Sequence, residues 1–155
     1  MNLSYTRSGG GPALIFTEPA LATMSRFQQQ QERDKEAGGQ LFAVFEGVDT
    51  LIVEATPPTL LDRRTRNGFR PNRGLQQQEI REKYNQGLHF VGDWHTHPES
   101  IPHPSEEDLR NMQECFARSA HDLRAFVLIT IGTKPLPAGL HVVLVEANGV
   151  EVLLH

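Results

Sequence analysis

One stretch constrains the fold of this chain more than any other. It runs from Leu88 to His97, carries His95 and His97 two residues apart, and is stopped by Pro98. Side chains two apart share a face only where the backbone is extended, whereas on a helix the same pairing needs a spacing of three or four. The chain has no H-E-x-x-H run that would place two histidines on one helical face. The stretch is therefore expected to be a strand, with both imidazoles over one face of a sheet. Pro98 and Pro104 bound the loop that follows, Ser105 is placed to cap a helix, and Asp108 falls in the first turn of that helix. Strand, loop and helix start thus bring two ring nitrogens and a carboxylate toward one point.

The remaining elements follow from periodicity and turn chemistry. A short opening strand is followed by a flexible break at Ser8–Pro12, and Ala13–Phe16 reads as a second strand. Thr17 is a helix N-cap, with Glu18 and Pro19 in the first turn. The helix is expected to run from Glu18 to Ala37, with Leu21, Met24 and Phe27 on one stripe, Gln28–Gln31 on its solvated side, and Gly38 and Gly39 as its end. Leu41–Glu46 and Thr50–Ala55 read as paired strands joined at Gly47, Val48 and Asp49, and Thr56-Pro57-Pro58 stops the second. Residues 60–74 are expected to be irregular and basic, and Gly74–Gln86 helical. Ser105–Arg118 is a helix with Leu109, Met112 and Phe116 on one face; Ala125–Ile131, Leu140–Glu146 and Val150–Leu154 are strands, the last two joined at Asn148-Gly149. Helices and strands mix without regular βαβ alternation. The expected class is α+β, built on a largely antiparallel or mixed sheet, with residues 1–155 as one domain.

Composition excludes several function classes. A net charge of −4 with neutral histidines argues against a general nucleic-acid binder, which carries a basic excess. A single cysteine, Cys115, forbids an internal disulfide and fits a reducing compartment. No run approaches the ~20 apolar residues of a membrane helix, and Met1–Pro19 does not read as a secretory signal. The expectation is a cytoplasmic protein without membrane or nucleic-acid partners.

The chemistry is carried by the cluster around His95. Two histidine nitrogens and one carboxylate oxygen, from His95, His97 and Asp108, make a three-ligand zinc site that leaves a fourth position open for water. Zinc lowers the pKa of such a water to roughly 7. Hydrolysis also needs a base, and Glu36, in Glu-Ala-Gly-Gly-Gln-Leu, is the best candidate because its paired glycines permit close backbone approach. Ser105 is placed to donate to a developing oxyanion. A deaminase is excluded, because that pattern needs H-x-E and a downstream P-C-x-x-C.

His-Thr-His-Pro from His95, the ten residues between His97 and Asp108, Ser105-x-x-Asp108 and the upstream Glu36-x-Gly-Gly-x-Leu41 together resemble the signature of the JAMM (JAB/MPN) metallopeptidases. The wording Val91-Gly-Asp-Trp-His-Thr-His-Pro98 is similar to small stand-alone bacterial JAB proteins, found beside ubiquitin-activating-like and conjugating-like enzymes in anti-phage gene clusters. The resemblance implies a JAB/MPN (cytidine deaminase-like) fold, a mixed sheet flanked by helices with a single zinc site. It implies a zinc peptidase or isopeptidase that cuts after the glycine-ended tail of a ubiquitin-like or otherwise conjugated protein, for deconjugation or precursor processing. It carries over to Glu36 as base, His95, His97 and Asp108 as ligands, and Ser105 as oxyanion helper. Thr96 stands where serine is common, and Phe42-Ala43 replaces a small-residue-glycine ending. A non-catalytic scaffold of the same fold is the alternative, although such scaffolds usually lack a ligand and this chain has all three.

Plainer readings stand beside these. Ser105 and Asp108 also fit a capping pair. His103, between two prolines, is read as a rim residue that contacts substrate rather than a ligand. Arg66 and Arg70, in the basic run Arg63–Arg73, are candidate substrate contacts, with a solvated loop as the competing reading. Glu99, Glu106 and Glu107 are expected to be solvated, Trp94 to face the core, and Cys115 to be an inert, buried thiol.

Overall fold

The computed structural model describes all 155 residues. Ten strands and three helices follow in the order β1 (Leu3–Tyr5), β2 (Leu14–Phe16), α1 (Glu18–Arg26), β3 (Gly38–Glu46), β4 (Asp49–Ala55), β5 (Arg63–Thr65), β6 (Gly68–Arg70), α2 (Arg73–Asn85), β7 (His89–Thr96), α3 (Glu106–Arg118), β8 (Phe126–Ile131), β9 (Leu140–Glu146) and β10 (Gly149–Val152). Eight strands form one sheet in the order β1-β2-β4-β3-β7-β8-β9-β10, and β5 and β6 form a separate ribbon. The sheet is mixed, because β2 runs parallel to β4 and β7 parallel to β8 while the other pairs are antiparallel. It curls until Thr6 and Leu154 exchange two backbone hydrogen bonds, of 2.9 and 2.8 Å, which ties its two ends together. That closure covers part of both edges, where unpaired backbone would otherwise invite association.

Strand alternation divides the core in two. Phe16, Met24, Leu41, Ile52, Trp94, Ile129 and Ile131 belong to a main cluster with α1 on one face. Phe126, Leu128, Val143 and Val145 point the other way and pack with Met112 of α3. Trp94 is 1% exposed, and its indole N–H donates to the Thr56 carbonyl at 3.0 Å, so a large apolar ring is buried with its one polar atom satisfied.

Three elements differ from the expectation. The first helix stops at Arg26 rather than Ala37. The glutamines after it are cross-braces, not a solvated helix face. The Gln28 amide donates to the Gly132 and Lys134 carbonyls at 2.8 and 2.7 Å, that of Gln29 to Arg66 at 2.9 Å, and that of Gln30 to Thr133 at 2.9 Å. Those bonds hold the segment in an irregular path that a continued helix cannot follow. Gly38 and Gly39 are therefore the first residues of β3, not a helix cap. The basic stretch 60–74 is not wholly irregular, since Arg63–Arg70 pairs with itself as the β5–β6 ribbon and α2 starts at Arg73.

Candidate metal centre and active site

β7 delivers the first two candidate ligands. His95 is its penultimate residue, and His97 continues its line by donating its amide to the Ile131 carbonyl at 2.9 Å. Both imidazoles emerge on the face that carries α3. Ser105 caps α3, and the cap aims Asp108. The Asp108 amide donates to the Ser105 hydroxyl oxygen at 3.0 Å, and the Ser105 amide donates back to Asp108 Oδ2 at 2.8 Å. The same Oδ2 lies 3.0 Å from His95 Nε2 and 3.3 Å from His97 Nε2, and the two Nε2 atoms are 2.9 Å apart. The oxygen that accepts in the cap is thus the same one that faces the two imidazoles.

The donor set fits a small divalent ion. Ligand atoms at 2.0–2.1 Å from a tetrahedral centre lie about 3.3 Å from one another. One potential ligand atom from each of His95, His97 and Asp108 lies within 4.8 Å of the others, and the closest approaches just given, 2.9–3.3 Å, lie at or just below that edge length. The electrostatics agree. Burial opposes ionisation of Asp108, but hydrogen bonds with His95 and His97 and the Ser105 amide together hold it well below the usual carboxylate range. Burial of His97 disfavours its charge, yet Asp108, Glu36 and Glu99 outweigh that and raise its pKa. Such concentrated negative charge favours a cation at the centre.

Glu36 reaches the same cavity from the segment before β3. Its amide donates to the Thr65 carbonyl at 2.7 Å, and its carbonyl accepts from Arg64 Nε at 2.7 Å. The next residue is locked to β7, since the Ala37 amide donates to Thr96 Oγ1 at 2.9 Å while the Thr96 amide donates to the Ala37 carbonyl at 2.8 Å. Thr96 therefore supplies a hydroxyl that registers the segment carrying Glu36 against β7. Glu36 is buried, and burial pushes its carboxyl up to about 7, a value matched to proton transfer near neutrality.

The other expected site residues are distributed differently. Ser105 and Arg70 border the cavity. His103 is exposed and stands edge-on to His141 with ring centroids 5.8 Å apart, outside the cavity lining. Arg66 donates to the carbonyls of Gln31 and Glu32 at 3.3 and 2.7 Å, so its guanidinium fastens the ribbon to the segment before β3. Two residues were not singled out as site residues from sequence. Arg64, within the basic run, holds the Glu36 backbone. Glu99, expected to be only solvated, places Oε1 3.2 Å from His97 Nδ1. The spacing of Glu99 two residues after His97 was the available signal.

A family model for prokaryotic homologs of the JAB domain matches residues 17–147. The chain belongs to this JAB family. Among its relatives is a protein of Pseudomonas aeruginosa named CD-NTase/cGAS isopeptidase, 33% identical over 136 residues, which make up 86% of this chain and 85% of that one. An Escherichia coli protein of the same name is 28% identical over 101 residues, 63% of this chain and 65% of its own length. A protein of Desulfitobacterium hafniense with a determined solution structure shares the fold, at a TM-score of 0.64 and 22% identity, over 88% of this chain and 87% of that one. The JAB fold thus presents a candidate metal centre made of His95, His97 and Asp108. No helix in the chain is long and apolar enough to cross a membrane.

Proposed function

We propose that this JAB protein is a zinc-dependent isopeptidase that releases a protein joined through its glycine-ended tail to an amine. The observation that carries the reading is one cavity lined by His95, His97 and Asp108 as converging ligands and by Glu36 as a buried carboxyl poised near neutrality. The isopeptidase names of its relatives support it.

Zinc held by the three ligands supplies Lewis acidity, which makes water acidic enough to lose a proton near neutral pH. Glu36 accepts that proton and hands it to the leaving amine. The Ser105 oxygen already accepts from the Asp108 amide, which leaves its O–H free to donate to the carbonyl oxygen as negative charge grows there. The β5–β6 ribbon has only two strands, and Gly68, Phe69 and Arg70 border the cavity. An extended tail adds to that ribbon by backbone pairing beside the reacting bond. The partners this implies are a ubiquitin-like or otherwise conjugated protein and the conjugating enzymes that make the bond, in a cytoplasmic anti-phage setting.

Glu99 has an orienting role in this account. A ligand histidine bound through Nε2 carries its proton on Nδ1, and the carboxylate of Glu99 is beside that otherwise unpartnered atom. Glu99→Ala is expected to weaken zinc binding by about 10–100-fold in chelator competition. An unchanged affinity would remove Glu99 from the site.

The test of the function is a trap. Tagged Glu36→Gln protein expressed in the native host is expected to retain conjugates whose C-terminal glycine is joined to a lysine, and wild-type protein to release them as free glycine carboxylate and free lysine amine by mass spectrometry. Retention of unmodified partners that the wild type leaves uncut would replace the isopeptidase reading with that of a scaffold.

A further inference from the structure

Gln29 lies outside any helix or strand and is 3% exposed, yet its side-chain amide is fully used. Nε2 donates to the Arg66 carbonyl at 2.9 Å and to the Asp34 carbonyl at 3.2 Å, and Oε1 accepts from the Thr96 hydroxyl at 2.9 Å. The direction of each bond is fixed by chemistry. Both neighbours of Nε2 are carbonyls, which only accept. Thr96 Oγ1 already accepts from the Ala37 amide, and its one proton goes to Oε1. The backbone on either side of Gln29 is anchored as well, by Gln28 to the Gly132 and Lys134 carbonyls and by Gln30 to that of Thr133.

Three segments therefore meet at one side chain: the turn of the β5–β6 ribbon at Arg66, the approach to Glu36 at Asp34, and β7 at Thr96. The same segments hold Glu36. Its amide is bonded to Thr65 and its carbonyl to Arg64, both of the ribbon, and the amide of the next residue is bonded to Thr96. Glu36 is thus set between the ribbon and β7, and the Gln29 amide spans those two. It does so from behind. Strand alternation puts Thr96 on the face of β7 opposite His95, and Gln29 does not line the cavity.

We propose that Gln29 is a positioning residue for Glu36, joining the ribbon to β7 so that the Glu36 carboxyl stands at a fixed place relative to His95 and His97. An apolar side chain at this position leaves two buried carbonyls and a buried hydroxyl without a partner, and the segments that carry them shift to find new ones. A shift of about 1 Å in reacting geometry is enough to lower a rate about 10²-fold, even when the altered residue is remote from the chemistry. The effect on rate rests on the hydrolase reading; the placement of the carboxyl does not.

The experiment uses Gln29→Met, which is close to glutamine in size and has no N–H to donate. Crystal structures of the wild type and the variant, both with zinc added, are expected to show the Glu36 carboxyl displaced by about 1 Å or more relative to the His95 and His97 rings. The probe for rate is a glycine-ended peptide joined through that glycine to the side-chain amine of a lysine peptide. The variant is expected to lose about 10²-fold in kcat with KM within about twofold and zinc content unchanged. In a Glu36→Gln background the same substitution is expected to change the residual rate by less than about twofold, because its effect passes through Glu36. Should Gln29→Met not fold, Thr96→Val breaks the same joint from the other side and is expected to behave alike. A carboxyl that superposes on the wild type within about 0.5 Å would overturn the proposal. So would a loss in kcat that persists in full in the Glu36→Gln background, which shows a general structural effect. A wild type that leaves every such conjugate uncut would defeat the hydrolase reading instead, and the crystal comparison would still decide whether Gln29 places Glu36.

Discussion

Glu36→Gln is expected to lower the rate of bond cleavage by about 10²–10⁴-fold, or roughly 3–5 kcal/mol in the barrier, while leaving zinc content unchanged. The amide matches the carboxylate in shape but cannot take a proton from water or return one to an amine. The charge of Glu36 also helps raise the pKa of His97, but the position of Glu36 does not depend on that charge. The segment is held by main-chain bonds, from the Glu36 amide to Thr65 and from Arg64 to the Glu36 carbonyl, and Glu36 is not one of the three converging ligands. Folding should also survive, since an amide is no harder to bury than a carboxyl that burial already pushes up to about 7. Single-turnover release from a purified conjugate measures the effect. A variant within tenfold of wild type would remove Glu36 from the proton path.

The second large effect is on stability. Gly39→Ala is expected to cost about 3–5 kcal/mol, enough to lower the melting temperature by about 10–15 °C in a chain of this size. A Cβ at Gly39 would stand 1.9 Å from the Thr56 carbonyl oxygen and 2.9 Å from Trp94 Nε1. Those two atoms are hydrogen-bonded to each other, and the Thr56 amide and hydroxyl are both bonded to the Gln40 backbone. The added methyl cannot be housed by rotating a side chain; β3 has to move away from the end of β4 and from the buried indole. Gly9 has nothing within 4 Å of the equivalent atom, so Gly9→Ala serves as the control and is expected to change stability by less than about 0.5 kcal/mol. Thermal melts of the two variants decide the matter, and similar melting temperatures would contradict the close packing of β3 on Thr56.

The histidine spacing was legible because a strand has a strict period of two, and Pro98 marks where it stops. Ser105 and Asp108 were legible because a capping box has its own spacing, and the cap that starts α3 is also what points Asp108 at His95. Glu36 and its glycines were singled out correctly as a close approach of backbone, but they were assigned to a helix end. Residues 27–37 are rich in helix formers, and local propensity gives no sign that Gln28, Gln29 and Gln30 reach carbonyls more than a hundred residues away in two cases and at Arg66 in the third. The β5–β6 ribbon was hidden for a related reason. Its arginines read as solvated charge, whereas Arg64 and Arg66 are spent on backbone carbonyls that only the folded chain brings near.

The central claim is that hydrolysis needs the metal held by His95, His97 and Asp108, and metal removal tests it most directly. Protein purified without added metal is analysed for bound zinc, stripped with a chelator, and assayed on a glycine-to-lysine conjugate before and after one equivalent of zinc is returned. The account predicts about one zinc per chain, loss of cleavage on stripping, and recovery on return in the wild type but not in His95→Ala. Cleavage that persists in the stripped protein, or in His95→Ala, would contradict it.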